Sequence, residues 1–434
     1  MDIVIAGAGR VGYRLASTLS LKNNVYIIDK NKEALSRLTE SIDILPIHGD
    51  IEDPDTYSKI KDRSFDIFIA VTDNDEVNIL STLIATDKID VATKIIRLRN
   101  PYFAKSTIAD RLGISEAVFP FIATADSIEL LFTYPKANNV KKIPFTDYLL
   151  VSVEALGAKV ERFEEIVSAY VAPIGVERNK ELLLPTGKIQ EGDLIYLFGH
   201  PEAIKESCAL IDTQSQQTIK RVAIFGASLL GIEIARKLLG RVELKVVEED
   251  PDLCKKASET LQEKATIINS KYIEHTVYEE ENLRHADMLI TTSSDDEDNI
   301  IKCLEAKEHG IRRTIAINNN PEYYDLMHKL HIVPIRGPKM HAYYSILEKI
   351  ASSAIISEKH YCGGRGSLFV RKIFEGSLLI GKKIKPPRFP ALLFLLREEL
   401  IPITEPTTLH QGDIITIFTD TRYEEEAKRW IYNL

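Results

Sequence analysis

The chain says the same thing twice. It opens "MDIVIAGAGRVGYRLASTL", and at 221–239 it reads "RVAIFGASLLGIEIARKLL". Gly7 and Gly226 open the two glycine motifs and stand 219 positions apart. Asp29 in "VYIID" answers to Glu248 in "LKVVEE" at the same offset. "FIAVTDNDEVNI" (68–79) answers to "LITTSSDDEDNI" (289–300), and "KIIRLRNP" (94–101) to "TIAINNNP" (314–321). "EGDLIYLFGH" (191–200) answers to "QGDIITIFTD" (411–420). A unit of about 220 residues has been doubled, so whatever one half folds into, the other must accommodate.

Each unit has two parts. In the first, short Val-, Ile- and Phe-rich runs at 2–6, 24–28, 43–47, 66–71 and 93–97 alternate with helical patterns such as "NKEALSRLTES". Short apolar runs of this kind suit strands buried on both faces. Their alternation with helices predicts a doubly wound parallel sheet, an α/β Rossmann-like domain. A helical stretch follows at 124–134, with Thr124 as its expected N-cap and Pro135 just beyond its end; its counterpart is 341–355. The second parts are strand-rich and close on charged helical patterns, which predicts small α+β domains. The expected divisions are 1–120, a crossover helix at 121–139 and a small domain at 140–212; then 219–337, a crossover at 338–363 and a small domain at 364–434. The glycine-dense "CGGRGS" (362–367) reads as a hinge before the last of these.

The first glycine motif has the context of a nucleotide cradle. It follows a strand, opens a helix, and is followed by an acid at the end of the next strand. Gly7 permits the turn, Gly9 admits a pyrophosphate, and Gly12 lets helix and strand pack closely. The helix N-terminus supplies free N–H groups and partial positive charge. Asp29, 20 residues after Gly9, suits ribose hydroxyls and repels a 2′-phosphate, favouring NAD or an adenosine nucleotide over NADP. Arg10 either reaches phosphate or is solvated. Asp50 in "HGD" either meets an adenine amino group or caps a helix. "TDNDE" (72–76) lies where the ligands of such sheets bind, and it also reads as an ordinary helix start. Arg97 either bridges a phosphate or makes a salt bridge.

The second copy keeps Gly226, Gly231 and Glu248 but carries Ser228 for the central glycine, Asn269-Ser270 for Gly49-Asp50 and Ile317 for Arg97. It is expected to share the fold with weaker or altered nucleotide binding, its site either working or empty.

Other functions find little support. A net charge of −9 argues against a nucleic-acid binder. No run approaches the ~18 apolar residues of a membrane span. No signal peptide is expected from the opening residues. Cys208, Cys254, Cys303 and Cys362 lie far apart, which predicts reduced thiols in place of a zinc or disulfide framework. His328 and His331 lack a third ligand nearby, and "SSDDEDN" (293–299) reads first as a solvated helix start. No acid–base pair accompanies the cradle, so an NAD-dependent oxidoreductase is the lesser reading. A nucleotide-binding scaffold with no membrane partner is a third.

"MDIVIAGAGRVG", "VYIID", "HGD", "FIAVTDNDEVN" and "IIRLRNP" together resemble the RCK (KTN) nucleotide-binding domain of potassium-transport regulators. "LLLPTGKIQEGDLIYLFG" and "EPTTLHQGDIITIFTD" resemble the small C-type domain of that family, and the N-C-N-C order is that of its TrkA-type members. The resemblance implies a cytoplasmic, non-enzymatic regulator lying against the inner face of the cell membrane. It implies a homo-oligomeric ring that partners a membrane-embedded potassium transporter or channel subunit; the apolar faces of the crossover helices, outside the sheet pattern, make them the expected dimer elements. It implies NAD or NADH as ligand, with ATP and ADP as alternatives. Carried onto this chain, the contacts fall on Gly7, Ala8, Gly9, Arg10, Val11, Gly12, Asp29, Asp50, Thr72, Asp73 and Arg97. In the second copy they fall on Gly226, Ala227, Ser228, Leu229, Leu230, Gly231, Glu248 and Thr292.

Overall fold

The computed structural model describes residues 1–215, 218–271, 275–351 and 356–434. Its first sheet holds β1 (Asp2–Ala6), β2 (Asn24–Asp29), β3 (Leu45–His48), β4 (Ser64–Ala70), β5 (Asp90–Arg97) and β6 (Glu116–Val118). The order β3-β2-β1-β4-β5-β6 is parallel throughout. Ile3, Val4, Ile5 and Ala6 are fully buried, as a central strand covered on both faces requires. The order reverses direction between β1 and β4, and it is outside the carboxyl ends there that open α/β sheets take ligands. The first small domain is an antiparallel sheet of β7 (Ala137–Lys142), β8 (Leu149–Glu154), β9 (Val171–Arg178), β10 (Glu181–Leu183) and β11 (Leu194–Gly199).

The second half repeats both. β12 (Arg221–Phe225), β13 (Glu243–Glu248), β14 (Thr266–Asn269), β15 (Met288–Thr291), β16 (Arg313–Asn318) and β17 (Val333–Arg336) form a parallel sheet in the same order. β18 (Ile356–Tyr361), β19 (Gly366–Lys372), β21 (Leu392–Leu396), β22 (Leu400–Pro402) and β24 (Ile414–Asp420) form the second antiparallel sheet. β20 (Lys383–Ile384) and β23 (Thr407–Thr408) pair beside it.

The halves are bound by exchange. The first crossover helix, Pro120–Thr133, places Ile128 and Leu131 in one continuous core with β12 and the helix Leu229–Leu238 of the second half. The second, Pro338–Ala351, places Ala342 and Ile346 in the core of the first half. The two antiparallel sheets pack face to face through Tyr148, Phe198, Leu368 and Phe418, with the Phe198 and Phe418 rings 5.0 Å apart. Burying a leucine completely is worth about 1.5–3 kcal/mol, so the exchanged helices contribute strongly to holding the halves together. The crossover helices, which the sequence marks as dimer elements, here join the two halves of one chain.

Three local expectations change. Pro120 occupies the first position of its helix, where its fixed φ and missing N–H cost nothing, so the helix starts before Thr124. The Thr124 hydroxyl instead donates to the Pro120 carbonyl at 2.9 Å. "CGGRGS" is no hinge: Gly363 and Gly364, at φ 62° and 97°, turn β18 into β19 within one hairpin. β7 and β18 begin inside the stretches read as linkers, at Ala137 and Ile356. Residues 352–355 of the expected second crossover lie outside the described residues.

Candidate functional site: a glycine cradle facing the other half

Each glycine of the first motif has a separate task. Gly7 adopts φ +109°, which L side chains rarely adopt, and lies against Thr72. A Cβ on Gly12 would sit 1.8 Å from the Gly7 carbonyl oxygen, so this position has no alternative to glycine. Gly9 is different. Its backbone is extended, at φ −66° and ψ −174°, and a Cβ there would meet nothing within 4 Å. The first and third glycines serve the fold, whereas the central one keeps space clear in front of the helix N-terminus.

The second motif makes the same division visible. Gly226 keeps φ +113°, and a Cβ on Gly231 would lie 1.9 Å from the Gly226 oxygen. Ser228, at φ −60° and ψ 174°, reproduces the Gly9 backbone and puts a side chain into the cleared space. The backbone is conserved between the copies and the opening is not.

The acid after the second strand pins the loop in both halves. Asp29 accepts from the Ala8 N–H at 2.6 Å and from the Asn31 N–H at 2.8 Å. Glu248 accepts from Ala227 at 2.7 Å, and from Glu249 and Asp250 at 2.9 and 3.1 Å. Asp29 is half-buried with lone pairs to spare. Glu248 is buried and takes three donors.

Arg97 ends β5 beneath the cradle and is only 3% exposed. Its guanidinium donates to the Asp73 carboxylate at 2.8 Å and to the Thr72 carbonyl at 3.3 Å, while its Nε has no partner. Both readings of Arg97 are thus visible: it makes an ion pair, and it keeps a buried donor free. Ile317 holds the matching place in β16. Asn78, which sequence reasoning passed over, ties the region together. Its side chain accepts from the Thr72 N–H at 2.9 Å and donates to the Arg97 carbonyl at 2.9 Å. Asn299 does the same between Ser293 and Ile317. The persistence of both asparagines through the duplication was the available signal.

That pairing makes Ser293 the structural counterpart of Thr72, in place of Thr292. The Thr292 hydroxyl points inward to the carbonyls of Phe225 and Gly226, at 3.1 and 3.2 Å. Asp50 is exposed at the end of β3, where it accepts from the Glu52 N–H at 3.0 Å. Arg10 is exposed at the cradle mouth, while Ala8 and Val11 are buried beneath it. In the second motif Ala227 and Leu230 are buried and Leu229 packs against the same core.

The cradle opens into a cleft of about 830 Å³ whose far wall belongs to the other half. Arg10, Asp29 and Gly9 face Asp295, Asp296, Asn319 and Lys339 across it. Burial, with the charge of Arg10, lowers the Lys339 ammonium pKa from its ordinary value. Burial raises the carboxyl pKa of Asp296, although it accepts from the Asn319 N–H at 2.8 Å. The "SSDDEDN" stretch is a capped helix start, with Asp295 accepting from Asp298 N–H at 3.0 Å. His328 is half-buried against Tyr324 with its Nε2 shielded from solvent, whereas His331 pairs with Glu154 at 3.1 Å.

The TrkA-N domain model matches residues 3–120 and 222–335, the two parallel-sheet domains. The chain belongs to the TrkA-N domain family. It is similar to Trk system potassium uptake protein TrkA homolog 1 of Methanosarcina mazei, 26% identical over 456 residues, covering 99% of this chain and 100% of that one. TrkA of Azorhizobium caulinodans is 24% identical over 408 residues, covering 89% and 88%. Among solved structures the GsuK RCK domain matches 100% of this chain and 95% of its own, at 16% identity and a TM-score of 0.63. The GsuK channel bound to NAD matches 100% and 79%, at 15% identity and a TM-score of 0.63. These likenesses show the fold: two TrkA-N domains, each followed by its small antiparallel domain.

Proposed function

We propose that the chain is a regulatory subunit of a potassium-transport system and that nucleotide bound at the first cradle sets the relation between its halves. The observation that carries this is the position of the open cradle. Gly9, Asp29 and Arg10 form one wall of a cleft whose other wall comes from the second half, so a ligand there contacts both. The names of the TrkA relatives support the transport role, and the NAD-bound GsuK channel supports a nucleotide ligand.

The residues fit such a ligand. Free N–H groups at the start of the helix Arg10–Leu19 face the space that Gly9 leaves clear and suit phosphate oxygens. Arg97 keeps its Nε free beneath. Asp29 retains acceptor capacity for ribose hydroxyls, which favours NAD or NADH, with ATP or ADP as the alternative. When bound, the nucleotide supplies a phosphate chain carrying negative charge toward Arg10 and Lys339. A ligand shifts a two-state equilibrium only by its differential affinity; a hundredfold difference amounts to about 2.7 kcal/mol. The exchanged crossover helices provide the rigid link by which such a shift passes between halves. The partner is a membrane-embedded potassium-transport subunit, met by a homo-oligomeric ring of these chains at the cytoplasmic face; no helix among the described residues is long and apolar enough to cross a membrane itself.

Calorimetric titration of NAD, NADH, ATP and ADP against the whole chain tests the reading. One tight site per chain is expected, because Ser228 and the engaged Glu248 close the second cradle. Absence of saturable binding by all four overturns it.

A further inference from the structure

A second cleft, of about 740 Å³, lies between the crossover helices on the side of the small domains. Lys141 enters it from β7 and Lys359 from β18, the edge strands of the two antiparallel sheets. Lys141 pairs in register with Leu150 and Lys359 with Leu368, both 218 residues apart, as are Pro120 and Pro338 at the starts of the crossover helices. The two lysines are therefore counterparts in the duplication that converge on one place. Arg336, His341 and Tyr344 complete the wall.

The charges here are unbalanced. Glu348 is engaged by Lys359, Asp126 by Lys237 and Glu129 by Arg241. Among the described residues, Lys141 and Arg336 have no acidic partner: the Lys141 ammonium donates to the His360 carbonyl, and the Arg336 guanidinium lies 3.9 Å over the Tyr344 ring. The His341 Nε2 is buried without a partner. Burial and the charge of Arg336 push both Lys141 and His341 well below their ordinary values. Glu348 on the same wall offsets part of that repulsion but is already held by Lys359, and an anion in the cleft relieves the rest.

The fold does not need these groups. Counted from the prolines that open the crossover helices, Val118 stands where Arg336 stands and Ala123 where His341 stands. The first half builds the same turn and helix with apolar residues at these two positions. We propose that this cleft is an anion site for a compact phosphate-bearing solute, bridging the edge strands of the two small domains through Lys141, Lys359 and Arg336. It is independent of the glycine cradle, and it occurs once per chain because only the second half carries Arg336 and His341.

The probe is inorganic pyrophosphate, titrated into the full chain at low ionic strength with a chloride control of matched ionic strength. Saturable binding and a rise in melting temperature are expected. Arg336→Val, which copies the first half, and Lys141→Gln should each weaken binding by about tenfold or more, as loss of a charge-assisted contact implies. Gly9→Val, which fills the nucleotide cradle, should remove only pyrophosphate held there and leave intact the binding that Arg336→Val weakens. In the unaltered chain, pyrophosphate should protect Lys141 and Lys359 from amine acetylation, read by mass spectrometry. Absence of saturable binding, loss of binding in Gly9→Val with retention in Arg336→Val, or equal acetylation with and without pyrophosphate would each overturn the proposal.

Discussion

Arg97, buried at the end of β5, holds the exposed carboxylate of Asp73 at 2.8 Å and leaves its Nε unpaired. A buried donor without a partner costs stability, commonly ~1–3 kcal/mol. The second half avoids that cost with Ile317 and keeps the same strand. Arg97 is thus an expense the fold can do without, incurred only in the half whose central glycine is open. Of the departures in the second copy, Ser228 and Ile317 fall on positions proposed to serve a ligand, while Gly226 and Gly231, which the fold requires, are kept.

Arg97→Ala should remove most of the nucleotide-induced rise in melting temperature, weakening binding by about tenfold or more. The same variant without nucleotide should melt near the parent. Thermal shift with and without NAD measures both. Retention of the full ligand-induced shift would show that Arg97 only anchors Asp73.

The glycines predict a sharper contrast. Gly9→Val should fold normally, since a Cβ there meets no protein atom within 4 Å, yet lose nucleotide binding. Gly12→Ala and Gly231→Ala should both fail to fold stably, with a Cβ under 2 Å from a carbonyl oxygen in each case. Ser228→Val should change little. Circular dichroism reports the folding, and calorimetry the binding. A Gly9→Val protein that binds like the parent removes the argument that the open position is reserved for phosphate.

Much of this was legible in the chain because it is local. Strand runs, the acid after the second strand and the glycine spacing each act over a few residues, and the duplication supplied an internal comparison. The places that were not legible depend on distant contacts or on one residue's geometry. Lys339 reaches the first cradle from 330 residues beyond Gly9, and nothing around it in sequence announces that. Thr124 has the chemistry of a cap, but Pro120 starts the helix earlier. The glycines of "CGGRGS" signal a turn as well as a hinge; the close approach of Gly366 to the Tyr361 ring, where a Cβ would come within 2.4 Å, decides for the turn. The exchange of crossover helices left no mark beyond their apolar faces.

His328 sets a pH dependence. Burial beside Tyr324 lowers its pKa below the ordinary histidine value, and its Nε2 has no partner. In the unfolded chain it takes up a proton near pH 6.5, and in the folded chain only at lower pH. The unfolded state therefore binds more protons below about pH 6.5, so stability falls as pH falls through that window. His328→Phe, which keeps a ring against Tyr324, should flatten the part of the decline due to this residue. Urea midpoints measured between about pH 7.5 and 5 check it; an unchanged slope would assign the decline to other groups.

Leu131 tests the exchange itself. It is fully buried in the core that the first crossover helix shares with the second half. Leu131→Ala should cost about 2–5 kcal/mol, the range for emptying a packed leucine site. Its position makes the loss particular, because the contacts removed join two domains. Salt bridges beside it, Lys237 to Asp126 at 2.6 Å and Arg241 to Glu129 at 2.8 Å, are partly exposed and contribute little by comparison. Leu131→Asp, which adds a buried charge, should go further and separate the halves while each sheet keeps its own core. Proteolysis would then cut near the crossover helix and release fragments of about 130 and 300 residues. If Leu131→Asp instead unfolded both halves in one step, the exchanged helices would be part of a single cooperative unit, and nucleotide at the first cradle would stabilise the whole chain with no change between the halves. Limited proteolysis followed by mass spectrometry distinguishes the two outcomes, and the expected one is a stable pair of fragments.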